Sequence, residues 1–167
     1  MKKVYVAALV LGGVLLIARK AGAVYKSAEV VRVLEFSDLV DLYARMYGVP
    51  ASRVYAIAAY ESSGDPRAGG PTNDRGLMQI TPIGLAEVNR IYSLGFTFDE
   101  MWDPAKNIRV GAALLSIYYR QYGSIDMATR AYNVGPNGLK KNPLAGLVYL
   151  ARIKKVEATY LSITKTA

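Results

Sequence analysis

The 167-residue sequence predicts an all-α protein. No segment alternates apolar and polar residues with the two-residue period of a half-buried strand, and no run rich in Val, Ile and Thr is bounded by hairpin turns. Several segments instead space their apolar residues three and four apart, between a capping Ser, Thr or Asp and a terminating Gly or Pro. We therefore expect an N-terminal apolar helix over residues 1–23, a spacer over residues 24–36 and one helical domain over residues 37–167.

The N-terminal segment is apolar between two basic flanks. An uncharged run from Val4 to Ala18 follows Lys2-Lys3 and precedes Arg19-Lys20. Because flanking Lys and Arg side chains can extend a short apolar helix, we expect residues 4–18 to form a membrane-type anchor helix. Two alternatives stay open. Ala21-Gly22-Ala23 is typical of a signal-peptidase site, and the helix could also be buried against partner subunits.

The domain is expected to begin with an amphipathic helix capped by Ser37 and terminated by Gly48 and Pro50. Five further helices follow by the same criteria. Their predicted limits are Ser52 to Glu61, Thr81-Pro82 to a residue before Gly95, Asp103-Pro104 to about Gln121, Asp126 to Asn133, and Leu144 to about Ile163. In the last helix, the residues expected to face inward are Leu147, Leu150, Ile153, Val156 and Tyr160.

Glu61 is the first candidate for catalysis. It ends a nearly all-apolar segment, Val54 to Tyr60, and therefore should lie at the C-terminal end of a buried helix. The negative end of the helix dipole and the apolar surroundings both disfavour a carboxylate, so we expect the pKa of Glu61 to be raised above its usual value. Such a group can still donate a proton at neutral pH.

The composition limits the chemistry that is available. The chain has no Cys and no His, which excludes disulfides, Ser-His-Asp triads, Cys-His dyads and the usual zinc sites. Carboxylate acid-base chemistry needs no metal or cofactor, and we expect neither. Of the 13 acidic residues, only Glu61, Asp65 and Asp74 adjoin the loop that follows the second helix. Asp65 and Asp74 could supply a second catalytic carboxylate, although their Gly- and Pro-rich surroundings are typical of turn formers.

Four short motifs follow one another in order. They are Glu61-Ser62 with Pro66 five residues after the Glu, then Gly76-Leu77-Met78-Gln79, then Ala131-Tyr132-Asn133-Val134-Gly135, and finally the late Tyr149. At this spacing they resemble the lytic transglycosylase domain of the soluble-transglycosylase type, a relative of goose-type lysozyme. The resemblance covers roughly residues 37–160 and implies a lysozyme-like helical fold.

The resemblance also implies an activity. In that family, the Glu protonates the glycosidic oxygen between N-acetylmuramic acid and N-acetylglucosamine, and then, as a carboxylate, takes the proton from the muramoyl 6-hydroxyl that attacks C1. The product is a 1,6-anhydromuramoyl end. This implies a catalytic role for Glu61, and substrate-binding roles for Ser62, Met78, Gln79, Tyr132, Asn133 and Tyr149.

Two other functions stay open on the sequence. The first is a goose-type muramidase that adds water and uses Asp65 or Asp74 to position it. The second is a non-catalytic structural protein that binds glycan without cleaving it. An intact Glu61 together with Gln79 and Asn133 favours an enzyme.

The charge balance indicates an anionic partner. With 21 basic and 13 acidic residues the net charge is +8, which suits a wall polymer. No helix-turn-helix, RNP-type or zinc pattern is present, so we do not expect nucleic acid to bind. The expected partners are peptidoglycan, a membrane through residues 4–18, and a larger assembly such as a virion or a secretion or conjugation machine. The expected location is the bacterial cell envelope, with the virion as the alternative.

Overall fold

The computed structural model describes residues 8–11, 14–17, 31–70 and 73–164. Residues 31–34 are helical, and the domain that follows is helical as predicted. Its helices are α1 (Ser37–Tyr47), α2 (Ala51–Ser62), α3 (Pro82–Tyr92), α4 (Pro104–Tyr122), α5 (Ile125–Lys141) and α6 (Leu147–Thr164), with a 3-10 helix over Asp99–Trp102 between α3 and α4.

The N-terminal apolar segment differs from the prediction. Here β1 (Ala8–Leu11) and β2 (Val14–Ile17) form an antiparallel pair, in which Leu11 is paired with Val14. The sequence between the strands, Gly12-Gly13, accounts for the difference, because each Gly costs a helix about 1 kcal/mol whereas Gly pairs favour two-residue hairpin turns. The predicted helix over residues 4–18 is therefore wrong where the structure describes the chain. The other residues of the segments predicted over 1–23 and 24–30 lie outside the described ranges.

Within the described ranges, the helices of the domain are too short or too polar to span a membrane.

Capping side chains explain where the central helices begin. The Thr81 hydroxyl accepts a hydrogen bond from the Gly84 N–H at 3.1 Å, and the Asp103 carboxylate accepts one from the Lys106 N–H at 2.9 Å. A proline follows each cap at the first helical position, where its missing N–H costs nothing. The predicted starts of α3 and α4 are confirmed.

Other predicted boundaries need correction. Ser37 and Ser52 lie inside the first turns of α1 and α2, and the cap positions are occupied by Phe36 and Pro50, which make no side-chain cap bond. The predicted short helix that ended at Asn133 continues as α5 to Lys141, with a kink at Gly135 (φ 69°, ψ 162°). In α6, Ile153 is buried as predicted, whereas Leu147 is exposed because it begins the helix at the edge of the domain.

The long helix α4 forms the centre of the domain. It packs against α1, α3, α5 and the 3-10 helix, and most of its residues are buried. Helix α2 packs against α1 on one side and α6 on the other. Because α2 carries the predicted catalytic residue at its C-terminal end, its packing fixes where that residue lies.

An ion network centred on the buried Arg53 joins α2 to α5 and α6. The Arg53 guanidinium donates to Asp126 Oδ1 at 3.1 Å, to Thr129 Oγ1 at 2.8 Å and, through Nε, to Glu157 Oε2 at 3.0 Å. Arg53 is only 4% exposed, so these partners replace the water that its charge would otherwise need. The network therefore connects the three helices that surround the candidate site.

Candidate active site

Glu61 lies in the last turn of α2, as predicted. The next residue, Ser62, is buried; its hydroxyl donates to the Ala58 carbonyl at 3.0 Å and accepts from the Gly64 N–H at 3.2 Å. Ser63 adopts the left-handed conformation (φ 55°), and Gly64 also has positive φ (77°). The chain therefore turns sharply after Glu61, and the hydroxyl of Ser62, expected to bind substrate, instead closes the helix.

Tyr149 of α6 contacts Glu61 directly. Its hydroxyl donates a hydrogen bond to Glu61 Oε1 at 2.6 Å, across 88 positions of sequence. The Tyr149 ring is buried, and it packs edge-on against Tyr60 with the ring centroids 5.4 Å apart. The late tyrosine is thus held rigidly, and it fixes one oxygen of the candidate catalytic carboxyl group.

The surroundings of Glu61 favour its protonated form. Burial raises the pKa of Glu61 above its ordinary value, the hydrogen bond from Tyr149 opposes that change, and the negative charge of Asp74 adds to it. The predicted direction of the pKa shift is confirmed, and desolvation is its largest cause. A half-buried carboxyl group of this kind can donate a proton and later accept one.

The loop after α2 folds back on itself next to the site. Arg75 and Ile80 exchange two backbone hydrogen bonds of 3.0 and 2.9 Å, and the Gly76 N–H donates to the Ala68 carbonyl at 2.8 Å. Gln79, in the left-handed conformation (φ 48°), donates its side-chain amide to the carbonyls of Ala68 and Gly76, both at 2.9 Å. The amide nitrogen of Gln79 therefore shapes the loop, and its donor hydrogens are already used.

Met78 and Tyr132 are hydrogen-bonded to each other on the core side of this loop. The Met78 side chain is 0% exposed, so it packs in the core and is not accessible to a saccharide, unlike the direct contact expected from the sequence. Its backbone carbonyl accepts a hydrogen bond from the Tyr132 hydroxyl at 2.8 Å. The negative charge of Glu61 is the second cause, after burial, of the raised pKa of Tyr132, which places this tyrosine near the catalytic candidate.

The remaining predicted residues are less closely connected to Glu61. Asn133 is exposed on α5, two residues before the kink at Gly135. Asp65 is exposed, and its carboxylate accepts from the Arg67 N–H at 2.8 Å, as expected for a turn former. Asp74 lies against Gly70, and its charge reaches Glu61.

Sequence reasoning missed Asn107, which hydrogen-bonds to the loop between α2 and α3. This fully buried side chain of α4 accepts from the Met78 N–H at 2.8 Å, and its amide donates to the carbonyls of Arg75 at 2.7 Å and Met101 at 2.8 Å. Both hydrogens of its amide are therefore used by backbone carbonyls. A polar residue at a core-facing position of the long helix was the available signal.

Sequence reasoning also missed Arg75, which holds the outer side of the loop. Its guanidinium lies 4.0 Å from the ring centroid of Phe98 and 5.2 Å from that of Trp102, and it donates to Asp99 at 2.6 Å. These contacts attach the loop to the segment between α3 and α4. In the part of the chain that the structure describes, no cluster of three His, Cys, Asp or Glu residues could hold a metal ion.

Comparison with known proteins agrees with this geometry. The family model described as the transglycosylase SLT domain matches residues 38–144. The chain is 31% identical over 123 residues to the soluble lytic murein transglycosylase of Escherichia coli K12, covering 72% of this chain and 19% of that protein. It is 33% identical over 104 residues to the transglycosylase of Enterobacteria phage PRD1, covering 62% of this chain and 36% of that protein. The chain thus spans about a fifth and about a third of these two relatives.

Solved structures show the same fold. The 70 kDa soluble lytic transglycosylase Slt70 of Escherichia coli superimposes with a TM-score of 0.67 and 26% identity, over 75% of this chain and 24% of that chain. The lytic transglycosylase Slt of Pseudomonas aeruginosa, solved as an inactive mutant in which a glutamate is replaced by glutamine, gives a TM-score of 0.57 and 30% identity. That superposition covers 60% of this chain and 17% of that chain.

Proposed function

The chain belongs to the transglycosylase SLT domain family, and we propose that it is a peptidoglycan lytic transglycosylase with Glu61 as its single acid and base. The bond cleaved is the β-1,4 bond from N-acetylmuramic acid to N-acetylglucosamine. The observation that carries the proposal is the half-buried Glu61 carboxyl group, whose pKa is raised by burial and whose Oε1 is held by Tyr149 at 2.6 Å.

The proposed reaction uses Glu61 twice. Protonated Glu61 first gives its proton to the glycosidic oxygen, and the bond from that oxygen to the muramoyl C1 breaks. The Glu61 carboxylate then removes the proton of the muramoyl 6-hydroxyl, whose oxygen forms the new bond to C1. The products are a 1,6-anhydromuramoyl end and a free 4-hydroxyl, and no water is consumed. A raised pKa suits this cycle, because the same group must be both acid and base near neutral pH.

Tyr149 supports both states of Glu61. Its hydroxyl donates to the carboxylate after the first proton transfer, which lowers the energy of the charged form, and it keeps the second carboxyl oxygen free to face the substrate. The inactive glutamate-to-glutamine form of the Pseudomonas aeruginosa relative supports the requirement for a titratable carboxyl group.

Substrate binding is proposed for the residues around Glu61. The amide oxygen of Gln79 and the exposed side chain of Asn133 are the groups that we expect to bind saccharide directly. Ser62, Met78 and Tyr132 act indirectly in this proposal, since their polar atoms or side chains are engaged inside the domain.

A hydrolase is the second candidate function, and one observation favours it. The Asp74 charge contributes to the pKa of Glu61, so Asp74 is near enough to influence a water molecule beside it. Asp65 has less support, because it is exposed and occupied in a turn. We favour the anhydro product because a single carboxyl group held by Tyr149 suffices for it. A glycan-binding protein without catalysis is the third candidate.

The proposed setting is a bacterial cell envelope, where the domain faces the wall. The phage PRD1 relative supports a virion as the alternative, and both settings allow a larger assembly. Attachment to a membrane through residues 4–18 stays a prediction based on composition, and its test is fractionation of the full chain beside a variant lacking residues 1–30.

Substitution of Glu61 by Gln tests the catalytic proposal. The amide keeps the shape of the carboxyl group but cannot transfer the proton, so cleavage of purified sacculi should fall by about a hundredfold or more. Asp65→Asn is the matched control, because it removes an acidic group from the same loop and should leave cleavage within about twofold. Near-full activity of Glu61→Gln, with an unchanged circular dichroism spectrum, would exclude Glu61 as the acid. Absence of cleavage by the wild type, with sacculi still bound, would favour the glycan-binding candidate.

A further inference from the structure

We propose that Arg130 is a positioning residue for the reaction: it holds the loop between α5 and α6, and through that loop it sets where the Tyr149 hydroxyl meets Glu61. This inference rests on the proposed function, because it concerns how the catalytic carboxyl group is oriented. It assigns a role to a buried cation that the proposed mechanism does not otherwise use.

The loop between α5 and α6, residues 142–146, determines where α6 begins. Its last residue, Gly146, has a φ of 75°, a conformation that glycine adopts without strain. The Gly146 carbonyl accepts a hydrogen bond from the Leu150 N–H at 2.9 Å, which belongs to the first turn of α6. Tyr149 lies in that turn. A displacement of Gly146 therefore moves the Tyr149 hydroxyl relative to Glu61.

Arg130 of α5 holds this loop in two ways. Its guanidinium donates through Nε to the Ala145 carbonyl at 2.8 Å and through Nη2 to the Pro143 carbonyl. Gly146 also packs directly against it, since a Cβ on Gly146 would lie 3.1–3.2 Å from Arg130 Cβ, Cα and carbonyl oxygen. The loop is thus attached to α5 both by hydrogen bonds and by a close backbone approach.

The Arg130 guanidinium serves this loop and not a counter-charge. Arg130 is only 7% exposed, yet none of the ion pairs among the described residues includes it, whereas the equally buried Arg53 has two carboxylate partners. Its remaining nitrogen faces the sulfur of Met127 at 3.2 Å, which is a weak acceptor. Burying a charge without a counter-charge is costly, and an apolar side chain could fill the same space. What an apolar side chain lacks is the fork of donors that joins two loop carbonyls.

Arg130→Met tests the proposal, because it keeps most of the side-chain volume and removes the donors. The freed loop should let the Tyr149 hydroxyl leave Glu61 part of the time, so kcat on purified sacculi should fall by about three- to tenfold with KM nearly unchanged. The alkaline limb of the pH–rate profile should move to higher pH, because the hydrogen bond from Tyr149 lowers the pKa of Glu61. Arg45→Met, at an exposed position of α1, is the control and should reproduce the wild-type profile.

A double-mutant cycle separates positioning from general support of the fold. A residue that acts through the Tyr149 hydroxyl loses its effect when that hydroxyl is absent, so adding Arg130→Met to Tyr149→Phe should lower kcat by less than about twofold and leave the alkaline limb in place. Equal losses of kcat in both backgrounds would show that Arg130 only stabilises the domain. That result would overturn the proposal, as would wild-type kinetics for Arg130→Met.

Gly146→Ala disturbs the same contact from the loop side, and it decides the question if Arg130→Met does not fold. The added Cβ would press on Arg130, so kcat should fall and the alkaline limb should move as above, again only while the Tyr149 hydroxyl is present. Gly95→Ala is its control, because Gly95 also has a positive φ but open space around it. Identical profiles for Gly146→Ala and Gly95→Ala would contradict the proposal.

A measurement without turnover decides the inference even if the proposed activity fails. The pKa of Glu61 can be followed by carbon-13 NMR of its carboxyl group, assigned by the signal that Glu61→Gln removes. Arg130→Met should raise this pKa in the otherwise wild-type protein and leave it unchanged in Tyr149→Phe. If the wild type cleaves no sacculi but the pKa behaves in this way, the proposed activity is wrong and the positioning role is supported. An unchanged pKa in both Arg130→Met and Gly146→Ala would reject the role whatever the outcome for cleavage.

Discussion

Tyr149→Phe removes one hydrogen bond from the site and almost nothing else. The Tyr149 hydroxyl donates to Glu61 Oε1 at 2.6 Å, and the ring, which Phe retains, provides the edge-on contact with Tyr60. The fold should therefore survive, while Glu61 loses the group that orients it and stabilises its charged form.

The size of the effect follows from the kind of hydrogen bond. A short, buried hydrogen bond to a carboxylate stabilises it by about 1.5–3 kcal/mol, and each 1.4 kcal/mol corresponds to about a tenfold change in rate. We expect kcat/KM on sacculi to fall by about 10- to 100-fold. Because the hydrogen bond lowers the pKa of Glu61, its removal raises that pKa further. The alkaline limb of the pH–rate profile should therefore move to higher pH.

The assay is the initial rate of muropeptide release across a range of pH, for the wild type, Tyr149→Phe and the control Tyr43→Phe. Tyr43 lies on α1 and is not among the groups that shift the pKa of Glu61, so its variant should reproduce the wild-type profile. A Tyr149→Phe protein with unchanged rate and unchanged alkaline limb would refute the role given to this contact.

Three further outcomes concern stability, and thermal melts measure them all. Gly76→Ala should lower the free energy of unfolding by about 2–5 kcal/mol, because a Cβ at this position, where φ is 74°, would overlap Asn107. Gly95→Ala is the control: φ is 68° but the surrounding space is open, so the loss should be only about 1–2 kcal/mol. Equal losses for the two variants would contradict the close approach at Gly76. Arg53→Leu should lower the free energy of unfolding by about 1–3 kcal/mol, because Glu157 and Thr129 lose a buried partner while Asp126 keeps its ion pair with Lys154, and a neutral effect would show that the network is not stabilising. Glu61→Gln should stabilise the protein more at pH 7 than at pH 4. Because the pKa of Glu61 is higher in the folded than in the unfolded state, the wild type loses stability as the pH rises from the unfolded-state pKa through the folded-state pKa. A difference in stability that does not depend on pH would contradict the raised pKa.

The position of Glu61 and the direction of its pKa shift could be predicted from local sequence. An apolar run that ends in a single Glu places a carboxyl group at the end of a buried helix, and burial is indeed the largest cause of its raised pKa. The helix starts at Thr81 and Asp103 were predictable for the same reason, because capping depends on neighbours within one turn.

The contacts that complete the site join distant parts of the chain. Tyr149 reaches Glu61 across 88 positions, and Asn107 supports Met78 across 29. Periodicity carries no information about such pairs; the position of Tyr149 came from the resemblance, and Asn107 was missed. Burial of Met78 was unpredictable for a related reason, since it depends on the close approach of Gly111 on α4.

In the N-terminal segment, the prediction from local sequence was wrong. Its apolar composition was interpreted as a helix, but composition alone does not distinguish helix from strand in a short apolar run. The Gly12-Gly13 pair was the local signal that favoured paired strands over a continuous helix.

The central claim, that Glu61 alone serves as acid and base, is tested most directly by the masses of muropeptides released from purified sacculi. The account predicts that the wild type releases muropeptides with 1,6-anhydromuramoyl ends, each one water lighter than a hydrolysed product, that Asp74→Asn releases the same species, and that Glu61→Gln releases almost none. Reducing muramoyl ends as the main product, lost on Asp74→Asn, would contradict the account and make the protein a muramidase with two carboxylates.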